Sequence, residues 1–435
     1  MKKEYSVLDR RIGWLVSLIV GLVVLPPGWL QAENWPAWRG PNANGSVSSS
    51  DEFPTTWTPN SSRWKIKLPG KGGSTPIVWE GIVYLTSPVE GQDGLMAVEL
   101  ETGKVLWTKK LGEMSPPKHR RLGSSCNSSP VTDGESIFVY FRSGQFAAVK
   151  LDGTLRWSQN LTETFGPENL YWDQGSSPVV FGDTLLLTRM HAGESWIAAF
   201  NKKTGQITWR EPRNYEVPAE NDNGYTTPLL FSAAGVPAAM VWGSDHLTAY
   251  NRNSGSLLWS VDGFNPDETG FWPAISSPVI TGETAIIPVG RDDRSGQAAI
   301  HGIRLGSGSD RPGAKRAWVR DDIGVFVPSL AEAEGRIYLL RNRGGVACLN
   351  PADGQSYWED AFPRERTSYY ASPVVANEHL YAVREDGMVF VAKVGRSFEL
   401  LAENAMEERI VASPVPVDGH LLLRGDEHLF CFAKN

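Results

Sequence analysis

The chain has 435 residues, of which 41% are apolar and 21% charged, and its formal net charge is −7 at pH 7. This composition is typical of a globular protein, and charges of both signs spread along an acidic chain argue against a nucleic-acid partner. Three cysteines in so long a chain exclude a disulfide-rich fold, so we expect isolated, buried thiols.

The N-terminus has the features of an export signal. Four basic residues within the first eleven positions precede the 13-residue apolar run 13–25, and a cleavage point follows Ala32. A run this short suits a signal peptide better than a spanning helix, which needs about 20 residues. We predict a signal peptide over 1–32 and a periplasmic or secreted protein without a stable membrane span after cleavage. An uncleaved N-terminal anchor is the alternative.

After an N-terminal segment over 33–62, the rest of the chain (63–435) is periodic. Ser/Thr-Pro phrases recur about every 40–55 residues, and VPSL (327–330) is a degenerate copy. Their prolines stand at 76, 130, 178, 228, 278, 328, 373 and 414. Each phrase opens a unit of four short runs that are rich in Val, Ile, Tyr, Phe and Thr and read as strands. Eight such units predict an all-β fold, an eight-bladed β-propeller of four-stranded antiparallel blades.

The turn between the third and fourth strands carries a repeated phrase. Clear copies are AVELETGKVLW (97–107), AFNKKTGQITW (199–209) and AYNRNSGSLLW (249–259). The glycine supplies the positive φ of a tight hairpin, and the tryptophan packs on the next blade. We therefore interpret the phrase as structural. The same docking role is predicted for Trp64, Trp107, Trp157, Trp209, Trp259, Trp318 and Trp358.

The last two units depart from this pattern. In the seventh, Phe398 takes the place of the tryptophan, and the eighth ends after three strands. The segment RWKIKL (63–68) offers the missing fourth strand, with Trp64 in the tryptophan position. Because an open sheet edge is a liability, we predict that this N-terminal strand closes the last blade.

The repeated phrase resembles the tryptophan-docking motif of the pyrroloquinoline quinone (PQQ)-like repeat family, Ala-x-Asp-x-x-Thr-Gly-x-x-x-Trp. Glu99, Asn201 and Asn251 stand at its Asp position, and the resemblance covers about 63–435. The segment NWPAWRGPNANG (34–45) also resembles the N-terminal segment of many secreted members. The resemblance implies an eight-bladed propeller. It leaves two branches open, namely quinoprotein dehydrogenases that use PQQ with Ca²⁺, and non-catalytic scaffolds similar to the outer-membrane assembly factor BamB.

The dehydrogenase branch implies a quinone stacked between a tryptophan and a ring of two adjacent cysteines, with Ca²⁺ on several oxygen ligands. The chain contains no Cys-Cys pair. Candidate oxygen clusters occur in NDNG (221–224) and RDDRSG (291–296), but such clusters are more typical of turns. We therefore predict a non-catalytic protein without cofactor, metal or catalytic residues. A PQQ- and Ca²⁺-dependent alcohol or sugar dehydrogenase is the alternative hypothesis.

The loops that lead into the first strands are predicted to gather at one mouth of the central channel. They are rich in aromatic and charged residues, which recognition surfaces use. The binding-face candidates are His119, Arg120, Arg121, Tyr171, Trp172, Asp173, Tyr225, Phe271, Trp272, Arg364, Arg366, Tyr369 and Tyr370. The competing interpretation is that these aromatics only fill the channel mouth. We predict a monomer that binds another protein or an extracytoplasmic polymer there.

Overall fold

The computed structural model describes Met1 and residues 33–434 except 120, 122, 295–296 and 307–312. The predicted signal peptide thus lies, apart from Met1, outside the described residues. The described residues form eight antiparallel sheets with four strands from each blade, which confirms the predicted eight-bladed propeller. Their only helices are the short α-helix Leu161–Phe165 and the 3-10 turn Pro59–Ser61.

Each blade contains four strands that follow one another from the central channel outward. In blades one to four they are Ile77–Trp79, Ile82–Val89, Gln92–Glu99 and Val105–Glu113; Val131–Thr132, Ser136–Tyr140, Gln145–Lys150 and Leu155–Asn160; Val179–Phe181, Thr184–Arg189, Trp196–Asn201 and Ile207–Pro212; Leu229–Ala233, Val236–Gly243, His246–Asn251 and Leu257–Val261. In blades five to eight they are Val279–Thr281, Thr284–Gly290, Ala298–Leu305 and Ala314–Arg320; Ala331–Ala333, Arg336–Leu340, Gly345–Leu349 and Ser356–Ala361; Val374–Ala376, His379–Val383, Met388–Lys393 and Glu399–Ala405; Val415–Val417, His420–Arg424, His428–Ala433 and Trp64–Lys67.

The last strand of blade eight comes from the N-terminal side of the chain. Trp64–Lys67 pairs antiparallel with His428–Ala433, with Trp64 opposite Cys431. The predicted closure of the ring is therefore confirmed, because one sheet joins both ends of the repeat region and the N-terminal strand covers the outer edge of His428–Ala433 at the seam.

The core lies between neighbouring blades, where the faces of adjacent sheets meet. Between blades two and three, for example, Val131, Phe138, Phe146, Leu187 and Trp196 are at most 3% exposed and form one cluster. A fully buried large apolar side chain contributes roughly 1.5–3 kcal/mol. The alternation of inward-facing apolar residues along each strand therefore stabilises the ring all the way round.

The Ser/Thr-Pro phrases form a closed ring of hydrogen bonds around the channel. The backbone N–H of each ring residue donates to the side-chain hydroxyl of the corresponding residue in the next blade, over distances of 2.8 to 3.3 Å. In order, this hydroxyl ring is Thr75, Ser129, Ser177, Thr227, Ser277, Ser329, Ser372, Ser413 and back to Thr75. In blade six the ring residue follows Pro328 instead of preceding a proline. The degenerate phrase therefore preserves the hydroxyl position and not that of the proline.

The docking tryptophans link each blade to the third turn of the next. The Trp157 indole N–H donates to the Lys202 carbonyl at 2.8 Å, and its ring covers Gly205, where a Cβ would lie 2.8 Å from the ring. The same bond joins Trp64 to Leu100, Trp107 to Leu151, Trp209 to Arg252, Trp318 to Pro351 and Trp358 to Gly395. For Trp259 the corresponding turn includes 307–312, outside the described residues. The prediction that Phe398 takes the tryptophan position of blade seven is wrong, because the strand register places Ala402 there, opposite Val391. Phe398 precedes that strand, and its ring packs at a tilt beside Trp358, with ring centroids 5.6 Å apart.

The two ends of the propeller differ in the kind of connection they carry. At one end, here called the hairpin face, lie the turns between first and second and between third and fourth strands. The opposite end, the loop face, carries the turns between second and third strands and the longer loops that lead into each next blade. The predicted binding-face residues belong to the loop face.

Candidate partner-binding face

The loops that lead into blades three, four and five are bonded to one another at the loop face. The Trp172 backbone N–H donates to the Tyr225 hydroxyl at 3.0 Å, and the Tyr225 N–H donates to the Ala274 carbonyl at 2.8 Å. The Trp272 N–H donates to the Asn221 side-chain oxygen at 2.8 Å. These three loops therefore form one preorganised platform, which reduces the ordering cost of binding. We call it the aromatic platform.

Two clusters of aromatic side chains stand on this platform. In the first, the His119 ring lies 4.1 Å from Trp172 and 5.4 Å from Tyr171 between centroids, and Tyr171 is 50% exposed. In the second, Phe271 is 49% exposed beside the half-buried Trp272. Large aromatic side chains held half in water by fixed loops are the usual anchors of recognition surfaces.

Asp173 supports the first cluster from below. It is 5% exposed, and its Oδ1 accepts the Lys118 backbone N–H at 3.0 Å and pairs with the Arg142 guanidinium. A Cβ at Gly123 would lie 1.9 Å from Oδ2, so only glycine allows this approach. Asp173 therefore ties the loops of blades two and three together, and it is a positioning residue instead of an exposed contact.

A polar pocket of 270 Å³ opens beside Trp172, between blades two and three. Its lining comprises Ser115, Lys118, Arg142, Ser143, Thr162, Pro167, Glu168, Leu170, Trp172 and Gln174. Burial raises the pKa of Glu168 to about 7, although Arg189, Arg142 and Lys118 act in the opposite direction. Burial also raises the pKa of Asp93, which accepts the Ser143 hydroxyl, to about 7. The pocket can therefore receive a polar side chain of a partner next to the aromatic cluster.

A charged network occupies the part of the loop face formed by blades seven and eight. Glu385 is 4% exposed and pairs with Arg409 at 2.8 Å and with Arg121 at 3.3 Å. Arg409 also reaches Asp426 at 3.4 Å. The Arg121 side chain is 76% exposed, so most of its donors face solvent and can contact a partner.

The structure separates the remaining predicted residues into exposed and buried groups. Arg364 and Arg366 are exposed, Tyr370 is half-buried, and Arg120 lies outside the described residues. Tyr369 is 1% exposed, and its ring packs with Phe362 and Phe390 in the core. Its prediction as a surface contact is therefore wrong. The physical reason is a backbone pairing with Arg384 that turns the side chain inward.

Tyr225 needs a similar correction. It is 8% exposed, and its hydroxyl is the acceptor that joins two loops of the aromatic platform. Tyr225 therefore shapes the platform and does not present a ring to solvent.

Sequence reasoning missed Lys118, Arg142 and Glu168, which line the pocket. Arg142 stands in the turn between the second and third strands of blade two, which the repeat pattern marks only as a turn. The only signal for it in the sequence is a charged residue in a turn of the loop face. Glu168 follows the Gly-Pro that ends the short α-helix, and its burial depends on contacts between blades.

The two candidate Ca²⁺ segments bond some of their side-chain oxygens within the loops, whereas Asn223 Oδ1 and Asp292 Oδ1 are buried without a hydrogen-bond partner among the described residues. Asn221 donates to Asp245 and accepts from Trp272, and Asp293 forms a two-bond ion pair with Arg291. In the described part of the chain, no three His, Cys, Asp or Glu side chains converge as a metal site would require. These segments therefore do not fit a Ca²⁺ ion. Likewise Cys126, Cys348 and Cys431 are buried, isolated thiols.

Comparison with known proteins identifies the family. Two overlapping segments, 55–212 and 193–434, match the family model described as outer membrane protein assembly factor BamB. The chain belongs to this family. Its membership agrees with the PQQ-like repeats noted in the sequence, and a comparison with curated proteins found no match.

Solved structures of several differently named proteins show the same architecture. BamB from Moraxella catarrhalis has a TM-score of 0.60 at 12% identity, over 86% of this chain and 97% of that one. The quinohemoprotein alcohol dehydrogenase from Comamonas testosteroni has a TM-score of 0.61 at 12% identity, over 93% and 81%. A europium-containing methanol dehydrogenase has a TM-score of 0.66 at 11% identity, over 92% and 98%. At these identities the likeness establishes the fold.

The helices of the described residues can also be compared with what a membrane-spanning segment requires. No helix among them has the length and apolar character that crossing a membrane requires.

Proposed function

We propose that this propeller is a non-catalytic scaffold that acts outside the cytoplasm and holds a protein partner on its loop face. The observation that carries the proposal is the pair of half-exposed aromatic residues, Tyr171 and Phe271, on loops already bonded together. The export-like N-terminus and membership in the BamB family support a location beyond the inner membrane.

The composition of the platform favours a protein surface as the ligand. Aromatic rings with arginine are enriched at protein interfaces and carry most of their binding energy. Here Tyr171, Trp172 and Phe271 supply the rings, and the exposed Arg121 and Arg366 supply guanidinium groups. Because the loops are fixed before binding, little of the interaction energy is lost to ordering them.

A combined variant tests this proposal. We expect Tyr171→Ala, Trp172→Ala and Phe271→Ala together to raise the Kd for the natural partner by at least about 100-fold, because truncated anchors cost ~1–3 kcal/mol each. The matched control is Tyr357→Ala with Leu257→Ala, since these outer-strand residues are 52% and 53% exposed but lie away from the platform. The control should leave the Kd unchanged.

The readout is affinity for a partner isolated with the unmodified protein from the cells that produce it. Both variants are compared after circular dichroism has shown that they keep the β-sheet signal. Equal partner affinity in both variants would contradict the proposal. Binding that survives protease treatment of the partner would instead identify a polymer such as a glycan.

The non-catalytic part of the proposal has its own test. The purified protein, mixed with PQQ and Ca²⁺, should show no bound quinone absorbance and no reduction of an artificial acceptor with alcohols or sugars. Quinone-dependent turnover would overturn this part and favour the dehydrogenase alternative.

A further inference from the structure

The N-terminal segment closes the hairpin-face end of the central channel. Trp35 pairs with Val78 of blade one through two backbone bonds of 2.9 Å, and the Thr132 N–H of blade two donates to the Pro36 carbonyl at 2.9 Å. Further on, Ser46–Val47 runs parallel to the first strand of blade seven. The residues between these contacts therefore cross the inner edge of the ring, inside the channel.

Arg39 lies in this crossing and is 3% exposed. Its loop is closed by a bond from the Gly45 N–H to the Arg39 carbonyl at 2.9 Å. The backbone of Arg39 has a φ of 73°, a value that costs a non-glycine residue energy and fixes the direction of its side chain. The side chain is therefore held inside the channel by the fold of its own loop.

The guanidinium of Arg39 is only partly satisfied. Nη2 donates to the Asn44 carbonyl at 2.8 Å, whereas Nε and Nη1 have no hydrogen-bond partner among the described residues. Within the same part of the chain no carboxylate pairs with it. Glu332, which lies close to this loop, accepts instead from the Asn44 side chain at 2.9 Å. Two guanidinium nitrogens thus remain for another acceptor.

A buried cation without a counter-charge is costly. Burial lowers the pKa of Arg39 to about 9, which reflects the loss of water around the charge. Arg424, which is 1% exposed, also leaves its Nε and Nη2 without a partner among the described residues, but Arg213 at the same exposure has a fuller set of acceptors. The Nη2 of Arg213 donates to two carbonyls, those of Gly243 and His246, and its Nε to the Thr248 hydroxyl. Arg39 lacks such a set of acceptors.

The surroundings of Arg39 supply more donors. A Cβ on Gly45 would lie 2.7 Å from Arg39 Nη2 and 3.3 Å from the Pro373 carbonyl, so the guanidinium lies next to the start of blade seven. The preceding residue, Ser372, belongs to the hydroxyl ring. Each ring oxygen accepts a backbone N–H, and its own proton can donate to a third group. This part of the channel therefore offers further donors, and the nearby carboxylate of Glu332 is bonded to the Asn44 side chain and not to Arg39.

We infer that the Arg39 guanidinium binds a small oxyanion inside the central channel, beside the Ser372 position of the hydroxyl ring. The ligand class is phosphate, sulfate or a carboxylate, because two adjacent guanidinium N–H groups match two oxygens of such an anion. The anion compensates the buried charge and joins the N-terminal segment to blade seven.

Thermal unfolding of the purified full chain tests the inference. Phosphate, sulfate, acetate and chloride are compared at equal ionic strength and pH. A ligand that binds only the folded state raises Tm, so we expect at least one oxyanion to raise Tm by about 2 °C over chloride. A rise with phosphate and sulfate identifies an inorganic anion, and a rise with acetate alone identifies an organic carboxylate. No rise with any of them would overturn the inference.

Variants assign the effect to Arg39. We expect Arg39→Met to abolish the oxyanion-specific rise while its Tm in chloride equals or exceeds that of the wild type, since the buried charge is gone. Arg320→Met, which removes an arginine paired with Asp322 and Glu359 on an outer strand, should retain the rise. If Arg39→Met does not fold, Arg39→Lys is the alternative variant, because lysine keeps the positive charge but lacks the adjacent N–H groups of the guanidinium. We expect Arg39→Lys to bind phosphate about 10-fold more weakly than the wild type in titration calorimetry. Wild-type affinity in the variant that folds would overturn the inference.

Discussion

The hairpin face and the loop face of this propeller follow different rules. At the hairpin face the same contact recurs from blade to blade, with an indole N–H bonded to a turn carbonyl of the next blade and a glycine beneath a ring. At the loop face the loops differ in sequence, and their aromatic side chains range from 1% exposed at Tyr369 to 50% at Tyr171. The repeated contacts are those that every blade needs, whereas the loop face differs from blade to blade.

Buried carboxyl groups are a second difference between the hairpin face and the loop face. Burial raises the pKa of Asp93, Glu168, Asp222 and Asp292, and all four belong to turns, loops or strand ends of the loop face. Such groups cost stability and are typical of sites that serve a purpose other than folding. The loop face therefore holds all four of the described carboxyl groups whose pKa is raised by burial.

The largest effect is expected where the docking contact of the hairpin face closes the ring, at Trp64. We expect Trp64→Ala to lower the free energy of unfolding by ~3–5 kcal/mol, because it empties a buried site and removes the 2.7 Å bond to Leu100 at the seam. Chemical denaturation measures this loss. A loss below about 1 kcal/mol would mean that the docking contacts do not hold the ring together.

At the loop face, Asp93 should make stability fall as pH rises. Its folded pKa of about 7 lies above the ordinary value of 3.8, so the folded state holds the proton through a window where the unfolded state releases it. The cost grows between about pH 4 and 7 and is complete above it. We expect Asp93→Asn to be no more stable than the wild type near pH 4 but more stable at pH 8, by on the order of 2 kcal/mol.

This pH prediction is measured as the difference between the two unfolding profiles, in which the other titrating groups cancel. Asparagine can still accept the Ser143 hydroxyl, so the bond itself is not at issue. Parallel profiles for the variant and the wild type would contradict a raised pKa at this position.

The hydroxyl ring links neighbouring blades, so we expect a substitution in it to lower the free energy of unfolding. We expect Ser277→Ala to cost ~1–2 kcal/mol, because it leaves the Thr227 backbone N–H buried without its acceptor at 3.2 Å. Ser254, in an exposed turn of blade four, provides the control, and Ser254→Ala should cost less than ~0.5 kcal/mol. Equal costs in denaturant titrations would show that the ring bonds add nothing to stability.

Alanine variants of two glycines at the hairpin face distinguish the cost of backbone strain from the cost of a disturbed tryptophan contact. Gly205 and Gly235 have φ of 74° and 79°, but a Cβ at Gly205 would meet Trp157 at 2.8 Å, whereas one at Gly235 would meet no atom within 4 Å. Both alanine variants bear the strain of a positive φ. We expect Gly205→Ala to cost about 1 kcal/mol more than Gly235→Ala, since it also displaces the indole. A smaller cost at Gly205 would contradict tight docking.

The repetitive part of the molecule is predictable from the sequence because it depends on local spacing. A glycine and a tryptophan four residues apart define the hairpin, and the spacing around Trp64 in RWKIKL is enough to identify the closing strand. Two local details differ: in blade six Ser329 follows Pro328 and still joins the ring, and in blade seven Ala402 instead of Phe398 holds the tryptophan position.

The loop face is less predictable because burial there depends on contacts between blades. Tyr369 and Tyr370 are neighbours of one type, yet one lies in the core and the other is half-buried. The pairing of Tyr369 with Arg384 has a counterpart in blade eight, between Ile410 and Gly425, but the residue types at these positions differ and do not mark the pairing in the sequence. The burial of Arg39 likewise arises from a loop that closes on itself inside the channel.

Photo-crosslinking in the cells that produce the protein tests most directly whether the variable face binds the partner. A photoreactive phenylalanine derivative replaces Tyr171 or Phe271 on the aromatic platform, or Tyr357 on an outer strand as a position of equal exposure. We expect one discrete adduct from positions 171 and 271 and none from position 357. Adducts of equal yield from all three positions, or an adduct from 357 alone, would contradict this expectation.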